Sequence, residues 1–323
     1  DDPIVYKKTT RYQHLVMTHN SKIDDTRLYI NGNTQFSSLD EGRYHDFLVH
    51  PVMTVAPAIK HVLVLGGGDG LALREIIKYT EVESVTLVDL DPEMINIAMN
   101  NQILTGLNNH SFQHAKVNVE SINTYVAGSK QAIYMREVGH EIGEREWVAS
   151  VDVFNIDADQ FLKKQPEQKW DAVVIDLPDP SSIELSKLYS KQFYQSLRRY
   201  LTADAYVAIQ STSPYHAKEA FLSIGETLTA TGFKVLPYRQ NIPSFGDWGY
   251  YLAWIGTRSS EAVKLQLSSL AEFKVDTGFI TPELLAASFA FGKGELVADN
   301  PCVNTLMQPC LLTNYLDRSW LLE

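Results

Sequence analysis

The chain has 323 residues, of which 45% are hydrophobic and 21% are charged, a composition typical of a globular protein with a substantial core. Its 39 Asp and Glu residues outnumber its 28 Lys and Arg residues, and the formal net charge is −11. This balance argues against a nucleic-acid partner, because such proteins carry basic patches. It is compatible with an ordinary acidic protein and mildly favours a cationic small-molecule substrate.

The two ends of the chain lead to two further expectations. The chain begins with DDPIVYKK and has no initiator Met, which fits either a processed chain or an excised part of a longer protein. Near the other end lie the only two cysteines, Cys302 and Cys310. Two cysteines are too few for a disulfide framework, so we expect reduced, partly buried thiols.

The first part of the chain, residues 1–55, predicts a small β domain built from hairpins. Its strand-like segments RYQHLVMTH and RLYINGNTQFSS are rich in β-branched and aromatic residues. The second segment contains Asn31-Gly32, a pair that strongly favours a hairpin turn.

Residues 56–323 alternate between predicted strands and helices. The strands are HVLVLG, SVTLVD, VDVFNI, WDAVVID, AYVAIQST and YYLAWIG, and the helices are LALREIIKYT, PEMINIAMNN, KLYSKQFYQSLRRYL and KEAFLSIGETLTATG. Such alternation predicts an α/β domain with a mostly parallel sheet covered on both faces. Residues 117–150 are too long for an ordinary connection and are interpreted as an insertion. The motif GHEIGE in this insertion lacks the second His of a zinc-binding helix, so we predict no metal.

A glycine-rich turn follows the first of these strands in VLVLGGGDGLALRE. Gly66 and Gly68 occupy the first two positions of a dinucleotide fingerprint, but Leu71 stands where the third glycine would be. The G-K-[ST] ending of a P-loop is also missing. Asp69 inside the turn would repel a pyrophosphate and suit a cation, which indicates a sulfonium nucleoside. The alternative is that Asp69 only caps the following helix.

Further carboxylates follow the other predicted strands at their carboxyl ends. Asp89 is suited to ribose hydroxyls, and Asp157 to the exocyclic amine of an adenine or, alternatively, to capping a helix. Asp176 and Asp179 belong to the segment DLPDP, whose bland interpretation is a turn with side-chain caps. Open α/β sheets bind ligands outside the carboxyl ends of their strands, so the combination predicts one acidic binding site.

The ordered motifs resemble spermidine synthase and the wider polyamine aminopropyltransferase family from Tyr12 to about Gly256. They are YQ, LYINGNTQFSSLDEGRYHD, VLGGGDG, VDLD, DLPDP and IQ. The resemblance implies an N-terminal β domain followed by a methyltransferase-like (Rossmann-like) domain with a seven-stranded sheet. The segments FITPELLAASFAF and PSFGDWGYYLAW are similar to a bacterial branch that often carries an N-terminal transmembrane region. We therefore expect the soluble part of a larger membrane protein, cytoplasmic and tethered to the inner membrane, that forms a homodimer.

The same resemblance implies an activity and the residues that perform it. The aminopropyl group of decarboxylated S-adenosylmethionine, a co-substrate, would pass to a diamine such as putrescine, giving spermidine and 5′-methylthioadenosine without a bound prosthetic group. Asp176 would accept the proton. The residues that would contact the nucleoside are Gln13, Gly66, Gly68, Asp89 and Asp157, and those that would contact the amine and aminopropyl groups are Tyr44, His45, Asp69, Asp179 and Gln210.

Several positions differ from the family pattern and keep alternatives open. Ser182-Ile183 replaces a common Gly-Pro pair, and Ile242 stands where many members have a Tyr in the diamine pocket. The nucleoside half of the site thus matches better than the amine half. For Tyr44 and His45 the bland alternative is an amphipathic helix with a packed tyrosine. The competing functions are an S-adenosylmethionine-dependent methyltransferase on the same fold and a non-catalytic polyamine or nucleoside-binding protein.

Overall fold

Residues near the start of the chain form a small antiparallel sheet in the order β1–β2–β3–β4. Its strands are β1 (Ile4–Thr9), β2 (His14–Asn20), β3 (Asp25–Ile30) and β4 (Asn33–Ser37). The computed structural model describes residues 2–113, 117–126, 129–133, 149–164, 166–299 and 301–317. Asn31 and Gly32 join β3 to β4 with φ angles of 52° and 84°, both left-handed as a two-residue hairpin turn requires. The predicted N-terminal hairpin is confirmed.

A larger sheet contains nine strands in the order β12–β13–β11–β10–β5–β6–β9–β7–β8. These strands are β5 (His61–Gly66), β6 (Ser84–Asp89), β7 (Val117–Val126), β8 (Ser129–Ile133), β9 (Ala149–Asn155), β10 (Trp170–Asp176), β11 (Leu201–Gln210), β12 (Lys234–Ile242) and β13 (Gly246–Trp254). The run from β11 through β10, β5, β6 and β9 to β7 is parallel. The predicted seven-stranded, mostly parallel sheet is confirmed as the part from β12 to β9, and the insertion adds β7 and β8.

The helices of the described residues surround this sheet. They are α1 (Glu41–Val55), α2 (Leu71–Ile76), α3 (Pro92–Asn100), α4 (Gln102–Leu107), α5 (Ala158–Lys163), α6 (Ile183–Ser186), α7 (Lys191–Arg198), α8 (Lys218–Thr229), α9 (Ser260–Ser268), α10 (Pro282–Ser288) and α11 (Cys310–Leu316). Short 3₁₀ turns lie at Ser111–Gln113 and Lys187–Tyr189. The predicted helix over residues 187–201 is thus interrupted at Ser190, whose side chain caps α7. None of the helices in the described ranges is long and apolar enough to cross a membrane.

The hydrophobic core lies on both faces of the large sheet. In β5, Val62 and Val64 belong to one buried cluster, whereas Leu63 and Leu65 belong to the other. This alternation explains why the central strands are apolar at nearly every position. The edge strand β12 was not predicted from its sequence, and it contains Pro237, which edge strands tolerate.

Helix α1 connects the two sheets and packs on the larger one. It contacts α2 and the strands β10, β11 and β12, and the hydroxyl groups of Tyr238 and Tyr250 donate to the backbone oxygens of Phe47 and Tyr44. These contacts favour a domain boundary nearer residue 40 than residue 55. The division into two domains, 1–55 and 56–323, stays a prediction.

Two expectations about cysteines and metal ligands have different outcomes. The prediction of reduced thiols is wrong, because Cys302 and Cys310 form a disulfide with their Cα atoms 6.5 Å apart. A low cysteine count excludes a framework but not a single bridge, and the chain turns back on itself before α11. The motif GHEIGE, residues 139–144, lies outside the described residues.

Candidate active site

The glycine turn after β5 brings three strand ends into contact. Gly66 has a φ angle of 84°, and a Cβ atom on it would lie 2.0 Å from the carbonyl oxygen of Asp176. A Cβ atom on Gly68 would lie 2.5 Å from Oδ2 of Asp89. Both glycines therefore allow the backbone of this turn to approach the ends of β10 and β6.

Asp89, at the end of β6, is held by backbone donors. The N–H of Gly68 donates to its Oδ2 at 3.1 Å, and the N–H of Asp91 donates to its Oδ1 at 2.9 Å. Burial raises the pKa of Asp89 to about 7, although these two N–H groups partly offset the effect. The result is a carboxylate with a fixed orientation at the place where the sequence predicts a ribose contact.

Gln13 lies in the turn between β1 and β2, and this turn is anchored beside Asp89. The hydroxyl group of Thr10 donates to Oδ2 of Asp91 at 2.7 Å and also contacts the backbone of Gln13. The small sheet is further fixed by Tyr6, whose hydroxyl donates to Glu93 at 2.6 Å. The structure thus brings the turn of Gln13 to the same end of the sheet as Asp89.

Asp157 caps a helix, as one of the two sequence interpretations expected. Its Oδ1 accepts from the N–H of Gln160 at 3.0 Å, at the start of α5, and its Oδ2 pairs with Lys187 at 2.8 Å. The neighbouring Asn155 was not predicted as a site residue. It is buried, its Nδ2 donates to the carbonyl of Asp89, and its Oδ1 finds no donor in the described ranges. This unsatisfied, buried acceptor lies beside Asp89. It is a second candidate, after Asp157, to accept a hydrogen bond from the amino group of a bound base.

Asp176, at the end of β10, meets two side chains of α1. The hydroxyl group of Tyr44 donates to Oδ1 of Asp176 at 2.6 Å, and Nε2 of His45 lies 3.9 Å from Oδ2. Tyr44 and His45 are both buried. The helix of the alternative interpretation is present, and it points both residues at the acidic strand end.

His45 is held in its charged form by a residue one turn earlier. Its Nδ1 contacts a carboxylate oxygen of Glu41 at 2.9 Å, and Glu41 also accepts from Arg74. Burial alone lowers the pKa of His45, but Glu41, Asp69 and Asp176 together raise it to about 9. Glu41 was not predicted as a site residue, although its spacing of four residues from His45 was visible in the sequence.

Asp69 lies in the glycine turn directly before α2. Its Oδ1 accepts from the N–H of Leu71 at 2.9 Å, at the start of α2. Burial raises the pKa of Asp69 to about 6, the charge of His45 lowers it and the charge of Asp176 raises it. Asp69 therefore lies within electrostatic reach of the pair formed by His45 and Asp176.

Asp179 completes the acidic group on the loop after β10. Gln210, at the end of β11, donates to its Oδ1 at 3.2 Å, and the hydroxyl groups of Thr212 and Tyr315 donate to its Oδ2 at 3.3 and 3.0 Å. Burial raises the pKa of Asp179 to about 6, and these three donors partly offset it. Thr212 and Tyr315 were not predicted, and Tyr315 lies 136 residues away along the chain.

A second cluster of Asp46, His50 and Glu75 has ligand atoms within 4.8 Å of one another. Its members already have partners: His50 contacts Glu75 at 3.1 Å, Lys78 pairs with Glu75 at 2.5 Å, and two backbone N–H groups donate to Asp46. The cluster is accordingly described as a buried network that joins α1 to α2, and we assign no metal to it.

The nine-stranded sheet and its acid-lined edge define a methyltransferase-like α/β protein. Solved structures support this fold: a spermidine synthase in complex with the transition-state analogue AdoDATO has a TM-score of 0.70 and 21% identity, covering 91% of this chain and 88% of that one. The spermidine synthase of Thermotoga maritima has a TM-score of 0.69 and 20% identity, covering 91% of this chain and 87% of that one.

The sequence profile of the spermine/spermidine synthase domain matches residues 41–133 and 147–266, and the chain belongs to this family. It is 35% identical to the polyamine aminopropyltransferase of Oceanobacillus iheyensis, over 99% of this chain and 54% of the relative. It is 37% identical to that of Leptospira interrogans, over 99% of this chain and 54% of the relative. Polyamine aminopropyltransferase 2 of Bacillus cereus is 35% identical, over 92% of this chain and 69% of the relative. The chain spans about half the length of the first two.

Proposed function

We propose that this chain carries the active site of a polyamine aminopropyltransferase. It would transfer the aminopropyl group of decarboxylated S-adenosylmethionine to a diamine such as putrescine, giving spermidine and 5′-methylthioadenosine. The observation that carries the proposal is the arrangement of Asp69 and Asp176 beside Tyr44 and His45, with Asp179 on the loop that follows the strand of Asp176. The names of the curated relatives support the same activity.

The nucleoside would bind at the ends of β6 and β9. Asp89 offers two oxygens to the ribose hydroxyls, and its orientation is set in advance by the N–H groups of Gly68 and Asp91. Asp157 and Gln13 would contact the rest of the thioadenosine. Lys187 pairs with Asp157, so an adenine amino group would share or displace that contact.

The difficult step is the activation of the nucleophile. An alkylamine has a pKa near ~10 and is protonated at neutral pH, so it must lose a proton to expose its lone pair. Asp176 would accept that proton. The amine nitrogen then bonds to the aminopropyl carbon while the carbon–sulfur bond breaks and its electron pair returns to sulfur. The leaving group is a neutral thioether, and no general acid is needed.

Tyr44 and Asp179 would set the geometry of the attack. The short hydrogen bond from Tyr44 restricts Asp176 to one orientation, and Asp179 would hold a substrate ammonium group in line with the reacting carbon. Holding two reactants in a near-attack geometry lowers the barrier by removing their translational and rotational freedom beforehand.

The charge of the site favours a cationic donor without a carboxylate. Burial raises the pKa of Asp69, Asp89 and Asp179 to about 6, 7 and 6, since water solvates each of these charges poorly. A sulfonium and an ammonium would supply the missing countercharge. The carboxylate of intact S-adenosylmethionine would instead meet Asp69, which disfavours the methyltransferase alternative.

The oligomeric state and location follow only from the resemblance. A homodimer, a cytoplasmic location and a tether to the inner membrane stay predictions for the whole protein.

The test is incubation of the protein with decarboxylated S-adenosylmethionine and a panel of diamines, followed by mass detection of the products. We expect methylthioadenosine and an amine heavier by one aminopropyl group in equal amounts. A wild-type protein that binds methylthioadenosine but transfers nothing to any diamine would favour the non-catalytic binding alternative.

A further inference from the structure

Two hydroxyl groups from different parts of the chain donate hydrogen bonds to the carboxylate of Asp179. The proposed mechanism uses neither of them. Tyr315 on α11 donates to Oδ2 at 3.0 Å, and Thr212, just after β11, donates to the same oxygen at 3.3 Å. Gln210 donates to the other oxygen. These three donors are all uncharged. They orient the carboxylate without supplying a positive charge of their own.

The C-terminal segment, defined here as residues 301–317, is anchored so that it holds Tyr315 in place. Asn304 is fully buried, and its Nδ2 donates to the backbone of Ser186 at 2.8 Å. Leu311 is fully buried in the hydrophobic cluster that also contains Leu63 and Leu65. The bridge between Cys302 and Cys310 closes the loop before α11. Several independent contacts therefore fix the helix that carries the tyrosine.

Thr212, the second hydroxyl donor, is held in a strained backbone conformation. Its φ angle is 59°, a left-handed conformation that is rare and strained for a β-branched residue. The N–H of Thr212 donates to Oε1 of Gln210 at 3.1 Å, which helps to keep this conformation. The backbone thereby directs the threonine hydroxyl at Asp179.

We propose that Tyr315 and Thr212 are positioning residues that hold Asp179 ionised and oriented for a substrate ammonium group. The C-terminal segment would then form part of the amine site. Tyr315 lies outside residues 41–133 and 147–266, the ranges that match the family profile, so this contribution belongs to the extension of the chain. The inference rests on the proposed function, and it names the side chains that would position Asp179 to recognise an ammonium group.

The geometry explains how neutral donors select a cation. A carboxylate offers about four lone-pair positions, and the contacts from Tyr315, Thr212 and Gln210 leave at least one of them for a ligand. Hydrogen bonds to the charged form favour it. Burial opposes ionisation of Asp179, and an ammonium group placed in the remaining direction would offset that penalty.

The ammonium group could come from the aminopropyl chain of the donor or from the diamine. The test therefore measures KM separately for decarboxylated S-adenosylmethionine and for the diamine, with Tyr315→Phe compared with the wild type. We expect KM to rise by roughly tenfold for the substrate whose ammonium contacts Asp179, the scale of one weakened charged hydrogen bond. Affinity for methylthioadenosine, which carries no ammonium group, should stay within about twofold.

The pH profile gives a readout that a purely structural role would not change. Loss of the tyrosine hydroxyl removes a donor that lowers the pKa of Asp179, so the acidic limb of kcat/KM should move to higher pH by roughly 0.5–1 unit. Two phenols face Asp179 within the described residues. Burial raises the pKa of both Tyr189 and Tyr315, so they stay neutral throughout this range.

Two further variants control the experiment. Thr212→Val keeps the β-branched shape and removes the hydroxyl, and it should shift KM in the same direction by a smaller factor because its hydrogen bond is longer. Tyr200→Phe removes a hydroxyl that donates to the backbone of Leu162 at 3.0 Å, on another part of the molecule. This variant should leave KM and the pH profile unchanged.

The outcomes separate this inference from the proposed function. Unchanged KM values and an unchanged pH profile in Tyr315→Phe overturn the inference while catalysis by the wild type stands. If the wild type transfers nothing, the proposed function fails. Calorimetric titration of decarboxylated S-adenosylmethionine into the free protein, and of diamines into protein saturated with methylthioadenosine, then decides the role of Tyr315. Equal affinities of the wild type and Tyr315→Phe for both kinds of ligand, or no affinity of either protein for any of them, contradict that role.

Discussion

The nucleoside half of the site and the amine half are built in different ways. Asp89 receives its hydrogen bonds from the backbone of Gly68 and Asp91, both close to the strand ends that form the site. Asp176 instead meets Tyr44, which lies 132 residues earlier, and Asp179 meets Tyr315, which lies 136 residues later. The orientation of Asp89 in the nucleoside half thus depends on nearby backbone groups, whereas Asp176 and Asp179 in the amine half depend on side chains from distant segments.

This difference indicates that substitutions should affect the two halves of the site to different extents. Backbone donors persist when side chains change, so the nucleoside half should tolerate substitution around it. Side-chain donors to Asp176 and Asp179 are lost with a single substitution. Acceptor choice should therefore depend on residues such as Tyr44, Thr212 and Tyr315.

The largest expected effect concerns Asp176. Asp176→Asn keeps the shape of the side chain and can still accept from Tyr44, but it loses the basic carboxylate. Turnover at neutral pH should fall by roughly 10²–10⁴-fold, the usual range for a positioned general base. Steady-state kinetics would measure the loss, and calorimetry should find the affinity for methylthioadenosine nearly unchanged.

A matched control lies on the same strand. Asp171 accepts from the backbone N–H groups of Lys60 and His61 at 3.0 Å. It lies at the amino end of β10, whereas Asp176 lies at the carboxyl end. Asp171→Asn should leave turnover unchanged. Partial recovery of Asp176→Asn at high pH, where more amine arrives neutral, would support its role as a base. Normal turnover at pH 7 would exclude it.

A smaller effect, confined to the other half, is expected for Asp89. Asp89→Ala removes the carboxylate that we propose binds the ribose, and it should weaken methylthioadenosine binding by roughly 1.5–3 kcal/mol, the scale of a lost charged hydrogen bond. Affinity for the diamine should change little. Calorimetry that finds unchanged nucleoside affinity would remove Asp89 from the site.

The smallest expected effect is on stability, and it has a defined sign. The folded pKa values of Asp69, Asp89 and Asp179 are raised to about 6, 7 and 6 from an ordinary 3.8. Between roughly pH 4 and 7 these three carboxyl groups bind more protons in the folded protein than in the unfolded chain, so their contribution to the free energy of unfolding falls as pH rises. Asp89→Asn should reduce this slope and gain roughly 1–3 kcal/mol at pH 7.5.

Chemical denaturation at pH 4.5 and 7.5 would measure that change. Asp204→Asn, on the exposed start of β11, serves as the control and should alter neither value. If the free energy of unfolding depends on pH in the same way for Asp89→Asn and the wild type, the carboxylate of Asp89 is well solvated. That result would contradict its raised pKa.

The sequence was sufficient to predict the sheet and most of the strand-end acids. Apolar strands that alternate with helices leave few arrangements, and a parallel sheet gathers its carboxyl ends at one edge. Asp69 and Asp157 each allow two interpretations. One oxygen of Asp157 caps α5, and one oxygen of Asp69 accepts from the first N–H group of α2, but a carboxylate has a second oxygen, so these contacts do not exclude a ligand.

The residues that sequence reasoning missed act across long distances or through conformation. Nothing near Tyr315 indicates that it meets Asp179, because their contact depends on how the C-terminal segment packs. The left-handed backbone of Thr212 has no local signal, since threonine rarely adopts it. The bridge between Cys302 and Cys310 likewise depends on a turn that cysteine counting does not describe.

The most direct test of aminopropyl transfer is a competition between two donors in one mixture. Equal amounts of decarboxylated S-adenosylmethionine and S-adenosylmethionine are supplied with a diamine, and the products are quantified by mass. We predict methylthioadenosine and an aminopropylated amine, because the carboxylate of Asp69 would repel the extra carboxylate of S-adenosylmethionine. A methylated amine with S-adenosylhomocysteine as the co-product would contradict this assignment and establish the methyltransferase alternative.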